Sequence, residues 1–359
     1  MNRTRPIPAV VFLSSVICLL TSAACVHAPG VPLVGGDQQE VSDWNGVDEM
    51  DADGWYYRSL EGTRCANGSE AGFGVSRGDD EDLVIYLSGG GACWDDASCR
   101  YFQTAANLDV TYDASKLGEE LNPLVESGLF DRSAQVNPFR NAGYVYIPYC
   151  TADLHTGRSM TAYDGFGGGE MVRHEGARNI ERILEVVPQM FPDVRRVWVV
   201  GISAGGYGAT WNFHRFAEAF GGAELHVFSD ASPWLTVDEE QWEQWKTRWN
   251  PQIPPDCERC EQTPDLLPQS LAKAYPESRF AMSVFARDSV LAAYTRTFPG
   301  RLEGEIDEFV EQQITEPNMR VFVADGASHE ALLQLGDEVE SRDGDKFVDF
   351  VREWIEGWE

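Results

Sequence analysis

Short apolar runs with strand character alternate along this chain with segments whose apolar residues recur at helical spacing. Residues 83–87, 144–147, 197–200, 225–228, 280–285 and 321–323 are rich in β-branched, leucine and aromatic side chains and read as buried strands. Between two of them, Ala177, Ile180, Ile183, Leu184 and Val187 fall on one helical face. Ile306, Phe309 and Val310 do likewise, as do Phe347, Phe350, Val351 and Trp354. This alternation predicts an α/β fold, a mostly parallel sheet covered by helices on both faces. Residues 234–268, with four tryptophans and several prolines, fit neither period and are expected to form an inserted cap over the sheet top.

The N-terminus follows a different pattern. Arg3 and Arg5 precede an apolar stretch over residues 9–20, and the small residues Thr21, Ser22, Ala23 and Ala24 follow. The stretch is too short for a comfortable membrane span and reads as an export signal. Cys25 after Ala23 and Ala24 resembles the lipidation site of bacterial lipoproteins, with Ser22 where leucine is usual. Residues 28–53, rich in glycine and acidic side chains, read as a solvated tether. The expected organisation is a leader over 1–24, a tether over 25–54 and one α/β-hydrolase domain over 55–359. The expected location is outside the cytoplasm, either secreted or periplasmic, or held on a membrane through a lipidated Cys25.

The most informative local sequence runs from Val197 to Gly208. A buried-type strand leads into Gly201-Ile202-Ser203-Ala204-Gly205, and small residues lead out toward an amphipathic segment carrying Trp211, Phe213, Phe216 and Phe220. In a nucleophile elbow the strand turns sharply into a helix, so the central serine is lifted above the sheet and small neighbours relieve the crowding. Ser203 is therefore the candidate nucleophile. A serine hydroxyl needs a base to take its proton and a carboxylate to orient that base. His329, in the loop after the run 321–323, is the only histidine beyond position 226 and the candidate base. Asp288, after the run 280–285, is the candidate acid; Asp230 also follows a strand, and Asp325 lies close in sequence to the histidine. The loop Ser88-Gly89-Gly90-Gly91-Ala92-Cys93-Trp94 follows another strand and resembles a glycine-rich oxyanion loop. The N–H groups of Gly90, Gly91 and Ala204 would form the hole. His155 follows a strand, where it can line the site; His174, His214 and His226 read as core or surface residues.

With 58 acidic against 28 basic residues, the chain carries a net charge of −30. A field of that sign repels phosphate backbones, so no nucleic-acid partner is expected. No histidine or cysteine spacing suggests a metal centre. Six cysteines follow the leader and Cys25, an even number that predicts disulfides in an exported chain. Cys257 with Cys260 and Cys93 with Cys99 close short loops, leaving Cys65 with Cys150. A redox or zinc CxxC at 257–260 is the rival, without a second CxxC or a nearby histidine to support it.

These pieces together resemble the pectin acetylesterase family, which includes the Notum-type carboxylesterases. The resemblance rests on Arg64-Cys65-Ala66-Asn67-Gly68-Ser69, the loop from Gly89 to Trp94, Tyr149-Cys150 with Asp153, and the elbow from Gly201 to Gly208. It implies an α/β-hydrolase fold, hydrolysis of O-acyl esters and no cofactor. It carries Ser203 and His329 into the roles of nucleophile and base, and favours Asp288 as the acid. The expected substrate is an O-acetyl ester on a polysaccharide or a small ester, with a longer acyl chain as the enzymatic alternative and no obligate protein partner. A tethered carbohydrate-binding protein on a hydrolase scaffold is the non-enzymatic alternative.

Overall fold

The computed structural model describes residues 41–43 and 50–358, apart from 127, 166–167, 236 and 336–338. The expected leader and Cys25 lie outside the described residues. Within the stretch expected as a tether, Val41–Asp43 forms a short edge strand and Met50 is buried.

Eleven strands are present among the described residues: β1 (Val41–Asp43), β2 (Trp55–Ser59), β3 (Gly72–Ser76), β4 (Asp82–Leu87), β5 (Gly143–Ile147), β6 (Ser159–Gly165), β7 (Gly168–His174), β8 (Arg196–Ile202), β9 (Glu224–Asp230), β10 (Phe280–Phe285) and β11 (Met319–Ala324). Nine form one sheet in the order β1-β2-β3-β5-β4-β8-β9-β10-β11. Only β3 runs antiparallel to its neighbours. All six runs read as strands fall in this sheet. β6 and β7 form a separate antiparallel hairpin.

The sheet is buried on both sides because its strands alternate their side chains between two cores. Val197 and Val199 of β8, with Ile85, Leu87 and Val227, pack against the helices Gly176–Leu184, Ala204–Trp211, Phe213–Ala219 and Pro299–Gln313. Trp198 and Val200, with Val84, Tyr86 and Phe228, pack against Ala114–Leu121 and Phe347–Glu356. The predicted helical faces around Ile180, Ile306 and Trp354 are the buried faces of three of these helices.

Residues 234–268 depart from the expectation of an aperiodic cap. They contain an 11-residue helix, Glu239–Trp249, started by the Asp238 carboxylate accepting from the N–H groups of Glu240 and Gln241. Trp242, Trp245 and Trp249 stand three and four residues apart on its inner side, and the nearby prolines obscured that spacing.

Three disulfides are present among the described residues: Cys65–Cys150, Cys93–Cys99 and Cys257–Cys260. No helix among the described residues is long and apolar enough to cross a membrane.

Candidate active site

β4 and β8 are neighbours in the middle of the sheet, and the chain leaves them in opposite directions, toward β5 and toward β9. A crevice opens outside the carboxyl ends of strands at such a switch point. Ser203, just past β8, and the loop 88–94, just past β4, both lie there.

Ser203 adopts φ 55° and ψ −125°, a conformation rare for any residue with a side chain. Its backbone is held from several directions. Its N–H donates to the Asp230 carbonyl at 2.8 Å, and its carbonyl accepts from the Gly206 N–H and the Ser232 hydroxyl. The turn closes because Gly205 carries no Cβ, which would collide with the Leu87 carbonyl. In the oxyanion-type loop, Gly91 has φ +75°, and a Cβ there would strike the Thr104 carbonyl. Among the described residues, none accepts a hydrogen bond from the N–H of Gly90, Gly91 or Ala204. Ala204 opens a helix whose first N–H groups have no partner within the helix.

Asp288 and His329 meet after β10 and β11. The His329 Nδ1 lies 2.7 Å from Asp288 Oδ2. Asp288 is fully buried, and its other oxygen accepts from the N–H groups of Val290 and Leu291 at the start of the helix Ser289–Tyr294. One carboxylate thus caps a helix and faces the imidazole, which leaves it little rotational freedom. Burial pulls the His329 pKa down, but the Asp288 hydrogen bond and charge outweigh it, leaving the imidazole above its usual 6.5.

Asp230, the rival acid, sits elsewhere. Its carboxylate accepts from Ser283 Oγ at 2.6 Å and from the Leu332 N–H at 2.8 Å, so both oxygens are committed away from the imidazole. Burial raises its pKa to about 7 even though both hydrogen bonds favour the charged form. Asp325 is exposed and pairs with Arg287 at 2.8 Å.

Ser203, Ala204, Gly91 and His329 line one cavity of about 560 Å³. Its walls are Leu154, Tyr207, Trp234, Leu235, Val237, Trp245 and Leu291, and Asp238, Glu240, Arg296, Arg301 and Glu305 add charge. Trp234 and Trp245 come from the segment expected as a cap. His155 does not reach this cavity; it is buried behind the loop 88–94 with Nε2 on the Ser88 carbonyl. His174, expected in the core or on the surface, is buried between Tyr163 and the Thr151 carbonyl. The sulfurs of Cys93 and Cys99 near it are joined to each other.

The model of the pectinacetylesterase family matches residues 56–287 of this chain. The chain belongs to the pectinacetylesterase family. That family is one of carboxylic-ester hydrolases. Similar proteins include a palmitoleoyl-protein carboxylesterase NOTUM from Drosophila melanogaster, 25% identical over 248 residues that make up 62% of this chain and 35% of that protein. Another, from Schmidtea mediterranea, is 28% identical over 160 residues, 42% of this chain and 28% of that one. The chain therefore spans about a third of the length of the curated relatives it matches. The crystal structure of the Wnt deacylase Notum from Drosophila superposes with a TM-score of 0.62 at 19% identity, covering 84% of this chain and 92% of that one. The α/β-hydrolase-like fold is thus shared with that structure.

Proposed function

We propose that this pectinacetylesterase-family protein is an exported serine carboxylesterase. Ser203 attacks the ester carbonyl, and His329 takes its proton and returns it to the leaving alkoxide. Asp288 holds the imidazole with Nε2 toward the serine, and the N–H groups of Gly90, Gly91 and Ala204 receive the developing oxyanion. Water then attacks the acyl-enzyme with His329 again acting as base. The observation that carries this reading is the Asp288–His329 pair at 2.7 Å, its carboxylate buried and its imidazole lining the same cavity as a serine held at φ 55°. A non-catalytic carbohydrate binder has no use for a strained serine and an oriented imidazole on one cavity.

The cavity bears on the substrate. Its volume lies within the roughly 300–1,000 Å³ range of small-molecule sites and far exceeds an acetyl group. Its apolar walls, Leu154, Trp234, Leu235, Val237, Trp245 and Leu291, suit an acyl chain longer than acetyl. The geometry therefore favours the longer acyl group over the O-acetyl polysaccharide ester expected from the sequence. The names of the NOTUM relatives point the same way. The O-acetyl polysaccharide reading keeps the support of the family's name and of the cavity's polar groups. A series of nitrophenyl esters from two to sixteen carbons separates the two. Peak kcat/KM at eight carbons or more supports the first, and a monotonic fall from acetate supports the second. Export rests on the apolar leader sequence and the three disulfides.

A further inference from the structure

Behind the oxyanion-type loop lies a buried polar cluster that the chemistry above does not use. His155 Nε2 lies 2.9 Å from the Ser88 carbonyl. That oxygen only accepts, so Nε2 carries the proton and donates. The Tyr149 hydroxyl donates to the Gly91 carbonyl at 2.6 Å, and the Tyr149 N–H donates to Ser88 Oγ at 2.8 Å. The two rings pack at 4.8 Å between centroids. The Gly90 carbonyl, between Ser88 and Gly91 in the chain, accepts from the Ala106 N–H at 2.8 Å. Because a trans peptide is planar, a fixed carbonyl fixes the N–H on its far side. The Gly90 carbonyl therefore sets where the Gly91 N–H of the proposed hole points, and the clamps on Ser88 and Gly91 fix the peptide planes immediately before and after the Gly89–Gly91 segment that carries the Gly90 and Gly91 N–H groups.

The same imidazole backs onto the nucleophile helix. A Cβ at Gly208 would fall 2.6 Å from the His155 Cβ, and the His155 carbonyl accepts from Asn212 Nδ2 at 2.9 Å. One side chain thus spaces the helix behind Ser203 from the loop facing it. The chain follows a costly path to put it there: Ala152, Leu154 and His155 all have φ between 55° and 58°. The buried Asp153 carboxylate anchors that path, accepting from the N–H groups of His155, Gly157 and Gly176 and from the Thr151 hydroxyl.

We propose that His155 and Tyr149 are positioning residues that set the oxyanion loop against Ser203 by clamping the carbonyls of Ser88 and Gly91. Neither touches the cavity. Burial lowers the His155 pKa to about 4, which keeps the imidazole neutral and its single donor on Ser88 throughout the working pH range. The inference rests on the assignment of Ser203 and the loop N–H groups given above.

The test compares His155→Leu, His155→Gln and Tyr149→Phe on a short nitrophenyl ester. Leucine fills the space without a donor, whereas glutamine restores an N–H within reach. His155→Leu should lower kcat about tenfold or more with KM within about twofold, less than the 10²–10³ lost when an oxyanion donor itself is removed. His155→Gln should recover most of that loss, and Tyr149→Phe should lower kcat by about threefold to tenfold. Affinity for a boronic acid, which binds as a tetrahedral adduct, should fall in step with kcat; a purely structural role would lower Tm without that parallel. If His155→Leu fails to fold, Tyr149→Phe decides alone. Folded variants that keep kcat within twofold, or that lose kcat at unchanged boronate affinity, would overturn the proposal. Ser203→Ala measured alongside separates the two readings: an active Ser203→Ala enzyme refutes the nucleophile, whereas a dead one beside a fully active Tyr149→Phe refutes only the clamp.

Discussion

The ends of β9 and β10 carry two aspartates alike in burial and opposite in use. Asp230 and Asp288 are both fully buried at the carboxyl edge of adjacent strands. Asp288 turns one oxygen to a helix N-terminus and the other to His329. Asp230 turns one to Ser283 and the other to the Leu332 N–H, while its backbone carbonyl holds the Ser203 N–H. In the proposed mechanism one orients the base directly; the other ties the turn at Ser203, β10 and the segment after His329 into one frame. Position after a strand does not distinguish them. What each pair of oxygens faces does.

The largest expected effect comes from exchanging those roles by mutation. Asp288→Asn keeps an oxygen for the Val290 and Leu291 N–H groups but presents an amide to Nδ1 of His329, which selects the wrong tautomer. A loss in kcat of about 10⁴ with little change in Tm is expected from that mechanism. Asp230→Asn keeps an acceptor for Leu332 and offers a donor to the Ser283 hydroxyl, so steady-state kinetics should show a loss below about tenfold. If the Asp230 variant is the inactive one, the two assignments are reversed.

The pH profile sharpens the same contrast. His329 must be neutral to accept the serine proton, so kcat/KM rises with pH through its pKa. Asp288 raises that pKa, so the acidic limb of the wild-type profile should have its midpoint above 6.5. In Asp288→Asn the residual activity should show a midpoint at lower pH. A midpoint unmoved by the substitution would mean that Asp288 does not act on the base.

The smallest effect concerns the charged groups of the cavity. Among the described residues that line the cavity, Asp238, Glu240 and Glu305 outnumber Arg296 and Arg301, and Arg301 is paired with Glu305 at 2.9 Å, so the lining does not offset the net charge of −30. Acetylated neutral glycans should be turned over better than acetylated pectin at low salt. The gap should narrow over roughly 0.01–0.15 M salt as the Debye length shrinks from about 30 to 8 Å. A preference for pectin that weakens with added salt would reveal cationic recognition instead.

The β9–β10 contrast also marks how far the sequence could be read. The central strands announced themselves through unbroken apolar runs, and the elbow through glycines that a sharp turn requires. Both are local signals. Strand β3 was not legible: Gly72-Phe73-Gly74-Val75-Ser76 is not among the runs that read as strands, yet every residue is buried. Its glycines are there because a Cβ at Gly74 would run into Leu117 and Tyr146. The choice between Asp230 and Asp288 followed from the order of elements and from family resemblance, because the contacts that separate the two span 41 and 102 residues. The clamp on the oxyanion loop was illegible for the same reason, its bonds joining residues 58 to 67 apart. His155 was recognisable only as a histidine after a strand.

The central claim is that Ser203 is a nucleophile activated by the Asp288–His329 pair. Labelling with a fluorophosphonate, followed by peptide mapping, tests it most directly. One equivalent of label should sit on the peptide carrying Ser203, with ester hydrolysis lost in proportion, and Ser203→Ala should take up none. Stoichiometric label on another residue, or Ser203→Ala retaining more than about a tenth of wild-type hydrolysis where triad deletions cost about 10⁴–10⁶, would contradict the account.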